Sequence, residues 1–179
     1  MIEKRLLPAL LLVIGLLIAL PVLAASDDRN QPVNIEADKV TVDDRNKTHT
    51  FEGNVILTQG SLEIRGQRMV VIQGADGFQT GVATGSAEHP ATFRQRRAGT
   101  GDIVQGAAER IEYDTRAERA RLFNHARVSA GGDVVTGDFI EYDAMTERYF
   151  ASNTPEGEGG GRVRAVIQPR ATDSPAPGN

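Results

Sequence analysis

From residue 33 onward, apolar and polar residues alternate in short runs that turn-forming residues separate. Val33 and Ile35 alternate with polar neighbours, and Val40 and Val42 continue the pattern after a one-residue phase shift near Asp38. Such alternation is typical of a strand with one buried face, and the phase shift indicates a β-bulge. The same pattern predicts further strands around positions 51–57, 62–71, 82, 93, 111–113, 122–128, 135–142 and 163–167.

Helices are not predicted in this part of the chain. Apolar residues do not recur there at the i, i+3, i+4 and i+7 spacing of an amphipathic helix. Residues 116–123 have helical propensity, but they lie between a strand and a turn. We interpret them as a turn that leads into a strand, and we predict an all-β fold.

Two stretches of the chain match each other at a constant separation in sequence. Asp43 matches Asp114, and the turn residue Gly60 matches Gly131. Apolar strand positions match at the same separation, for example 51 with 122, 57 with 128 and 69 with 140. The ungapped agreement of turns and apolar faces predicts an internal structural repeat, which favours a stacked β architecture.

The first 25 residues have the features of a secretory signal peptide. Lys4 and Arg5 precede an apolar run at 6–23, and small residues then lead into polar sequence. We therefore expect residues 1–25 to be cleaved, 26–32 to form a polar lead-in, 33–168 to form one domain and 169–179 to be a disordered tail. The alternative is an uncleaved anchor, because about 18 apolar residues are near the lower limit for spanning a bilayer.

Composition argues against several classes of function. The chain has no cysteine, which excludes disulfides and thiolate metal sites, and its formal net charge is -4, unlike a nucleic-acid-binding protein. Its three histidines are far apart in sequence, and neither HExxH nor GxSxG occurs. We predict no enzyme activity, no metal site and no cofactor.

Several short segments occur in an order and spacing that resembles a known family. They are Gln31–Lys39, Phe51–Val55, Thr58–Gly60, the segment His89–Phe93 after Gly85, and Gly106–Tyr113. Together they resemble the LptA (OstA-like) family of periplasmic bridge proteins of lipopolysaccharide transport, over about residues 31–150. Each segment alone is short, whereas the ordered set after a signal peptide is specific.

The resemblance implies an open, slightly twisted antiparallel β-jellyroll of many short strands with an apolar interior. That interior would shield the acyl chains of lipid A, since burial of apolar surface is favourable by about 25 cal/mol per Å². Copies would join head to tail through edge strands, between an inner-membrane LptC-like and an outer-membrane LptD-like partner. We therefore expect a periplasmic lipopolysaccharide-binding protein of a Gram-negative bacterium that bridges the two membranes.

The resemblance also assigns candidate binding residues. The family's lipid-contacting positions fall on Val33, Ile35, Phe93 and Tyr113. A basic position of the family falls on the uncharged Gln73. The candidates for a phosphate-binding rim are then Arg94 and Arg96, whose alternative role is that of ordinary solvated arginines.

The alternation itself adds inward-facing candidates to this set. They are Val55, Leu57, Ile64, Met69, Val71, Val128 and Tyr142. Ordinary core packing would place apolar residues at the same positions, because core and groove share one surface in an open jellyroll. Two other functions stay open, namely a membrane-anchored LptC-like component and a structural β-solenoid that binds no lipid.

Overall fold

The described part of the chain consists of twelve β-strands preceded by a short 3-10 helix, Asp28–Asn30. The computed structural model describes residues 28–75, 77–97, 101–154 and 162–169. Within these ranges no helix is long and apolar enough to cross a membrane. The strands are β1 (Asn34–Glu36), β2 (Lys39–Asp43), β3 (Thr48–Gln59), β4 (Leu62–Gly74), β5 (Gly77–Thr84), β6 (Ala91–Arg96), β7 (Ile103–Ala108), β8 (Arg110–Asp114), β9 (Arg119–Ala130), β10 (Asp133–Asp143), β11 (Arg148–Ser152) and β12 (Arg164–Val166).

Four strands, β3, β4, β9 and β10, are long and each contributes to two sheets. The β3–β4 pairing shifts register at 52–55, and the β9–β10 pairing shifts at 137–139. Asn54 and Asn124 adopt positive φ at these places, 47° and 63°, a conformation that asparagine tolerates better than most residues. A bulge bends the strand, so the two halves of each long strand can belong to different sheets.

The eight short strands each belong to one sheet. The first sheet has the order β1, β3, β4, β6, β7, β9, β10, β12, and the second has the order β2, β3, β4, β5, β8, β9, β10, β11. All pairs are antiparallel. The sheets meet along the bends of the long strands, and the hairpin turns lie on the opposite side. We call the gap between the two rows of turns the mouth.

The internal repeat is confirmed. Strands β2, β3 and β4 begin at 39, 48 and 62, and β8, β9 and β10 begin at 110, 119 and 133, which is the same shift for each pair of strands. Asp43 and Asp114 hold equivalent turns, since the carboxylate of each accepts hydrogen bonds from backbone N–H groups two and three residues later at 2.9–3.1 Å. The prediction that 116–123 form a turn leading into a strand is confirmed as well, because β9 begins at Arg119. The chain is therefore an all-β antiparallel jellyroll built from two similar halves, as predicted.

The two sheets have free edges at opposite ends of the molecule. In the described residues, β1 and β2 pair only with β3, and β11 and β12 pair only with β10. We call the β1–β2 side the first end and the β11–β12 side the last end.

Candidate binding groove

The facing surfaces of the two sheets enclose one continuous apolar interior, which we call the groove. Side chains from both sheets meet there because period-2 alternation directs every second residue inward. The largest fully buried side chains are Phe93, Leu57, Leu62, Ile64, Met69, Ile111, Leu122, Ile140, Val55, Val104 and Val128.

Most of the predicted groove residues lie deep in this interior. The buried ones are Val55, Leu57, Ile64, Met69, Val71, Phe93, Tyr113, Val128 and Tyr142. Val33 and Ile35 are half-buried and pack against the same cluster near the first end. The buried residues pack in one cluster, and Phe93 is only 2% exposed within it.

A cavity of about 510 Å³ opens at the mouth, near the first end. The lead-in and the first sheet contribute one wall, and the hairpins of the second sheet contribute the other. The lining residues are Gln31, Val33, Gln59, Gly74, Gly77, Phe78, Gln79, Thr115 and Arg116. The cavity therefore combines the apolar side chains of Val33 and Phe78 with several polar groups, and such a mixture is common in ligand sites.

Phe78 is a wall residue that the sequence analysis did not identify. It is half-buried and packs against the core. A Cβ atom at Gly81 would lie 3.0 Å from Cζ of the Phe78 ring, so the glycine leaves room for the ring. The Thr115 hydroxyl lies 2.8 Å and 3.0 Å from the backbone oxygens of Phe78 and Gln79, which fixes the start of β5 to the neighbouring turn. No alternating pattern surrounds Phe78, because Gly77 precedes it and polar residues follow.

Asp28, from the predicted polar lead-in, docks onto the mouth. Its carboxylate accepts hydrogen bonds from the backbone N–H and the hydroxyl of Ser61 at 2.8 Å and 2.6 Å, and from Nε2 of Gln95 at 3.1 Å. Ser61 lies in the β3–β4 turn and Gln95 lies in β6, so Asp28 connects two parts of the first sheet. A Cβ atom at Gly60 would clash with this carboxylate.

Gln95 also reaches the second sheet. Its side chain lies close to the hydroxyl of Tyr113, which lies in β8. Burial raises the pKa of the Tyr113 hydroxyl above its ordinary value of 10, and the Glu118 carboxylate raises this pKa further. Asp28, Gln95 and Tyr113 thus form a polar connection across the middle of the mouth.

A second connection crosses the mouth towards the last end. Arg97, which follows β6, forms an ion pair with Glu147 in the β10–β11 turn. This hydrogen bond raises the pKa of the Arg97 guanidinium. Next to it, the rings of Tyr142 and Tyr149 stack with centroids 4.8 Å apart, and Tyr142 also stacks on Phe93 at 6.3 Å. The Arg97–Glu147 pair, which we call the mouth bridge, joins the margins of the two sheets.

The predicted phosphate-rim arginines lie outside the groove. Arg94 and Arg96 alternate in β6 with the inward-facing Phe93, and both are exposed. Gln73 is exposed at the end of β4. The basic side chain that lines the cavity is Arg116, which the sequence placed in a turn without a binding role.

Charged residues pair mainly on the outer faces of the sheets. Arg121 donates a hydrogen bond of 3.0 Å to Glu141 of the neighbouring strand, and Arg119 lies 3.2 Å from Asp143. Within the described ranges, no three histidine or carboxylate side chains converge in a way that could hold a metal ion. The chemistry of the groove is therefore that of apolar burial with a polar mouth.

Apolar side chains are exposed at both ends of the groove. Val40 and Val42, on the inner face of β2, are 53% and 50% exposed. Val163 and Ile167, which flank β12, are 40% and 77% exposed. The apolar interior is therefore open to solvent at the first end and at the last end.

Comparison with known proteins agrees with this architecture. The family model described as "LptA/(LptD N-terminal domain) LPS transport protein" matches residues 34–148. The chain is 32% identical over 146 residues to the lipopolysaccharide export system protein LptA of Haemophilus influenzae, with 82% of each chain covered. It is 30% identical over 151 residues to the export system protein LptH of Pseudomonas aeruginosa, with 83% of this chain and 85% of that protein covered.

A solved structure shares the fold. The crystal structure of Pseudomonas aeruginosa LptH, described as the LptA homologous periplasmic component of the conserved lipopolysaccharide transport device, superposes with a TM-score of 0.72 at 27% identity. The match covers 80% of this chain and 99% of that one. The chain belongs to the family of LptA and LptD N-terminal-domain lipopolysaccharide transport proteins.

Proposed function

We propose that this chain is a periplasmic lipopolysaccharide transport protein that covers lipid A acyl chains in its groove and bridges the inner and outer membranes. The observation that carries the proposal is the apolar interior, which continues from the first end to the last end. Each methylene group removed from water gains about 0.8 kcal/mol. An apolar channel therefore lowers the cost of moving acyl chains across an aqueous compartment, while sugars and phosphates stay in the polar mouth.

Lipid binding begins at the cavity in this proposal. Val33 and Phe78 are partly accessible there, whereas Phe93 and Leu57 are fully buried. Deeper insertion therefore requires the two sheets to move apart along the mouth. The closed arrangement is then the resting state, and lipid shifts the population towards an open one.

Assembly is head to tail in this proposal. A free sheet edge accepts another strand readily, and this chain has one such pair of edges at each end. A contact between two different surfaces does not close on itself, so it produces open chains. The inner-membrane and outer-membrane partners would then be LptC-like and LptD-like proteins that present similar strands.

Export through a cleaved signal peptide is part of the same proposal, and residues 1–25 lie outside the described residues. Mass spectrometry of the protein purified from the periplasm is expected to give a mature chain that starts near Ser26. A chain that retains residues 6–23 and fractionates with the inner membrane would indicate the anchored LptC-like component instead.

The binding role is tested by photo-crosslinking in cells that make lipopolysaccharide. A photoreactive residue at Val33 or Phe78 is expected to form a lipopolysaccharide adduct, because both line the cavity. The matched control is Ile72, an apolar residue that is 41% exposed on the outer face of the same fold. Adducts at Ile72 as strong as at Phe78, or no adduct at any site in folded and exported protein, would favour the structural β-solenoid.

A further inference from the structure

The internal repeat contains a copy of the joint that head-to-tail assembly requires. β4 and β10 are equivalent strands, since they begin at matching positions of the repeat, 62 and 133. β4 pairs with β5 and β6, and β10 pairs with β11 and β12. In the same way β3 pairs with β1 and β2, and the equivalent β9 pairs with β7 and β8. Inside the chain, β5 and β6 pair with β8 and β7. Between two copies, the equivalent partners are β11 and β12 of one copy with β2 and β1 of the next.

The shared neighbours define which residues are equivalent in the first sheet. Phe93 pairs with Ile64, and Ala165 pairs with Val135, the equivalent of Ile64. Phe93 and Ala165 are therefore equivalent. By the same reasoning, Gly106, which pairs with Val128, is equivalent to Ile35, which pairs with Leu57, the equivalent of Val128.

The same equivalence holds in the second sheet. Gly81 pairs with Val71, and Tyr149 pairs with the equivalent Tyr142. Tyr113 of β8 is equivalent to Val42 of β2, because each is the fourth residue of its strand and the two strands match in the repeat.

We propose that two copies of this chain join in the register of the internal junction, with Ala165 opposite Ile35 in the first sheet and Tyr149 opposite Val42 in the second. This inference rests on the head-to-tail assembly of the proposed function and adds its register. The template pairs are Phe93 with Gly106 and Gly81 with Tyr113, both observed within the chain.

The register brings the exposed apolar residues of the two ends together. Ile167 falls opposite Val33, as Gln95 falls opposite Val104 inside the chain. Ala151 falls opposite Val40, as Ala83 falls opposite Ile111. Val40 and Ile167 are among the most exposed apolar residues of the described chain, and this pairing covers both. The inner rows of the two sheets thereby continue from one copy into the next.

The register also creates two ion pairs that have no equivalent inside the chain. Arg164 falls opposite Glu36, where the internal junction has Thr92 opposite Ala107. Arg148 falls opposite Asp43, where the internal junction has Thr80 opposite Asp114. All four charged residues are exposed on edge strands.

Alternative registers lose this complementarity. A slip by two residues, which keeps the same side chains facing inward, places Arg148 opposite either Thr41 or Arg45. When the slip places Arg164 opposite the acidic residue Asp38, it also places Arg148 opposite Arg45, which has the same charge. Of these three registers, only the proposed one gives both arginines a carboxylate.

Charge reversal tests the inference by mixing. Glu36→Arg and Arg164→Glu each place like charges at the joint, so each variant alone is expected to sediment as shorter oligomers than the unchanged chain at low salt. An exposed ion pair contributes only a modest free energy. Replacing its attraction with repulsion is therefore expected to raise the dissociation constant between copies by about tenfold. An equimolar mixture is expected to recover the oligomers, because every joint in an alternating chain again pairs opposite charges. Arg127→Glu, on the outer face in the middle of the first sheet, is the control and is expected to assemble normally. Failure of the mixture to recover would overturn the register.

Cysteine pairs separate a wrong register from a wrong assembly, since the chain has no natural cysteine. Asn34→Cys with Val166→Cys places two thiols opposite each other on the outer face and is expected to give a ladder of disulfide-linked oligomers under mild oxidation. Glu36→Cys with Val166→Cys is displaced by two residues and is expected to give little. A ladder from the displaced pair alone would refute the register and keep head-to-tail assembly. Absence of any ladder, together with monomers in sedimentation of the unchanged chain, would refute the assembly itself.

Discussion

The mouth bridge provides the most direct test of how the groove opens. Arg97 and Glu147 have side chains that are 20% and 35% exposed. Exposed ion pairs contribute about 0.2–1 kcal/mol, and removing one partner of a buried pair costs about 3–5 kcal/mol. The partial exposure places the mouth bridge between these limits, and we expect a coupling free energy of about 1–2 kcal/mol. Arg97→Met keeps the apolar stem of the side chain, and Glu147→Gln keeps its shape.

The assay combines unfolding with lipid uptake. A double-mutant cycle of Arg97→Met and Glu147→Gln in urea gives the coupling free energy, and each single variant is expected to lower the melting temperature by about 2–4 °C per kcal/mol. If the mouth must open for uptake, weakening it by about 1 kcal/mol raises the open population about fivefold. The rate of uptake of labelled lipopolysaccharide is expected to rise by a similar factor.

The Arg121–Glu141 pair is the matched control. It has similar chemistry, with an Arg121 Nε to Glu141 oxygen distance of 3.0 Å, but both residues lie on neighbouring strands of one sheet. Arg121→Met is therefore expected to lower stability without changing the rate of uptake. Equal uptake rates for Arg97→Met and Arg121→Met, or a coupling free energy within about 0.3 kcal/mol of zero, would refute a role for the mouth bridge in opening.

Three further predictions concern the lead-in, the tyrosines and the first end. Asp28→Ala removes charge-assisted hydrogen bonds to the mouth and is expected to lower the free energy of unfolding by about 1–2 kcal/mol, measured by urea denaturation; an unchanged midpoint would mean that the lead-in does not dock. Burial raises the pKa of Tyr113 and Tyr142 above 10, so the folded state holds these protons more tightly than the unfolded state, and stability is expected to fall as pH rises above about 10. The absorbance of tyrosinate, which no tryptophan obscures, is then expected to appear only as the β-sheet signal in circular dichroism is lost. If tyrosinate absorbance increased near pH 10 while the protein was still folded, the buried placement would be contradicted. Val42→Lys places a charge on the inner face of the first end, which should prevent another copy from joining there. When about one copy in ten carries this change in a mixture with the unchanged chain, the oligomers are expected to be shorter in sedimentation. An unaltered length distribution would show that β2 is not at the joint.

Most strands could be predicted because the inner face of each sheet is buried and the outer face is solvated. That asymmetry imposes the period-2 pattern that identified β3 through Val55 and Leu57. The predicted stretches 51–57, 62–71, 122–128 and 135–142 run through the bends, but the pattern did not reveal that each of these four strands contributes to two sheets. In β4 the inward positions change from even to odd between Ile64 and Met69, and in β10 they change from odd to even between Val135 and Ile140. Such a change of phase has the same appearance in sequence as the end of one strand and the start of another.

The interior was predictable, whereas the accessible site was less so. Apolar periodicity identifies buried positions, and nine of the eleven predicted groove residues are indeed buried. Val33 of the cavity lining was predicted, whereas Phe78 after a glycine and Arg116 in a turn were not. Asp28 was assigned only to a polar lead-in, because a single docking contact has no periodic signature. Such residues depend on which loops the topology brings together.

The distribution of charge on the edge strands bears on the proposed head-to-tail assembly. Monomeric β proteins often protect an edge with charged residues that point inward, or with proline. Here the inner positions of β2 are Val40 and Val42, and its charged residues Lys39 and Asp43 point outward. In the proposed assembly, the inward apolar residues would leave the edge able to accept a strand, and the outward charges would select which strand and which register it accepts. Because the inner rows would continue across the joint, an acyl chain moving between copies in the proposed assembly would remain in contact with apolar side chains. Transport and assembly would then depend on the same inward-facing residues.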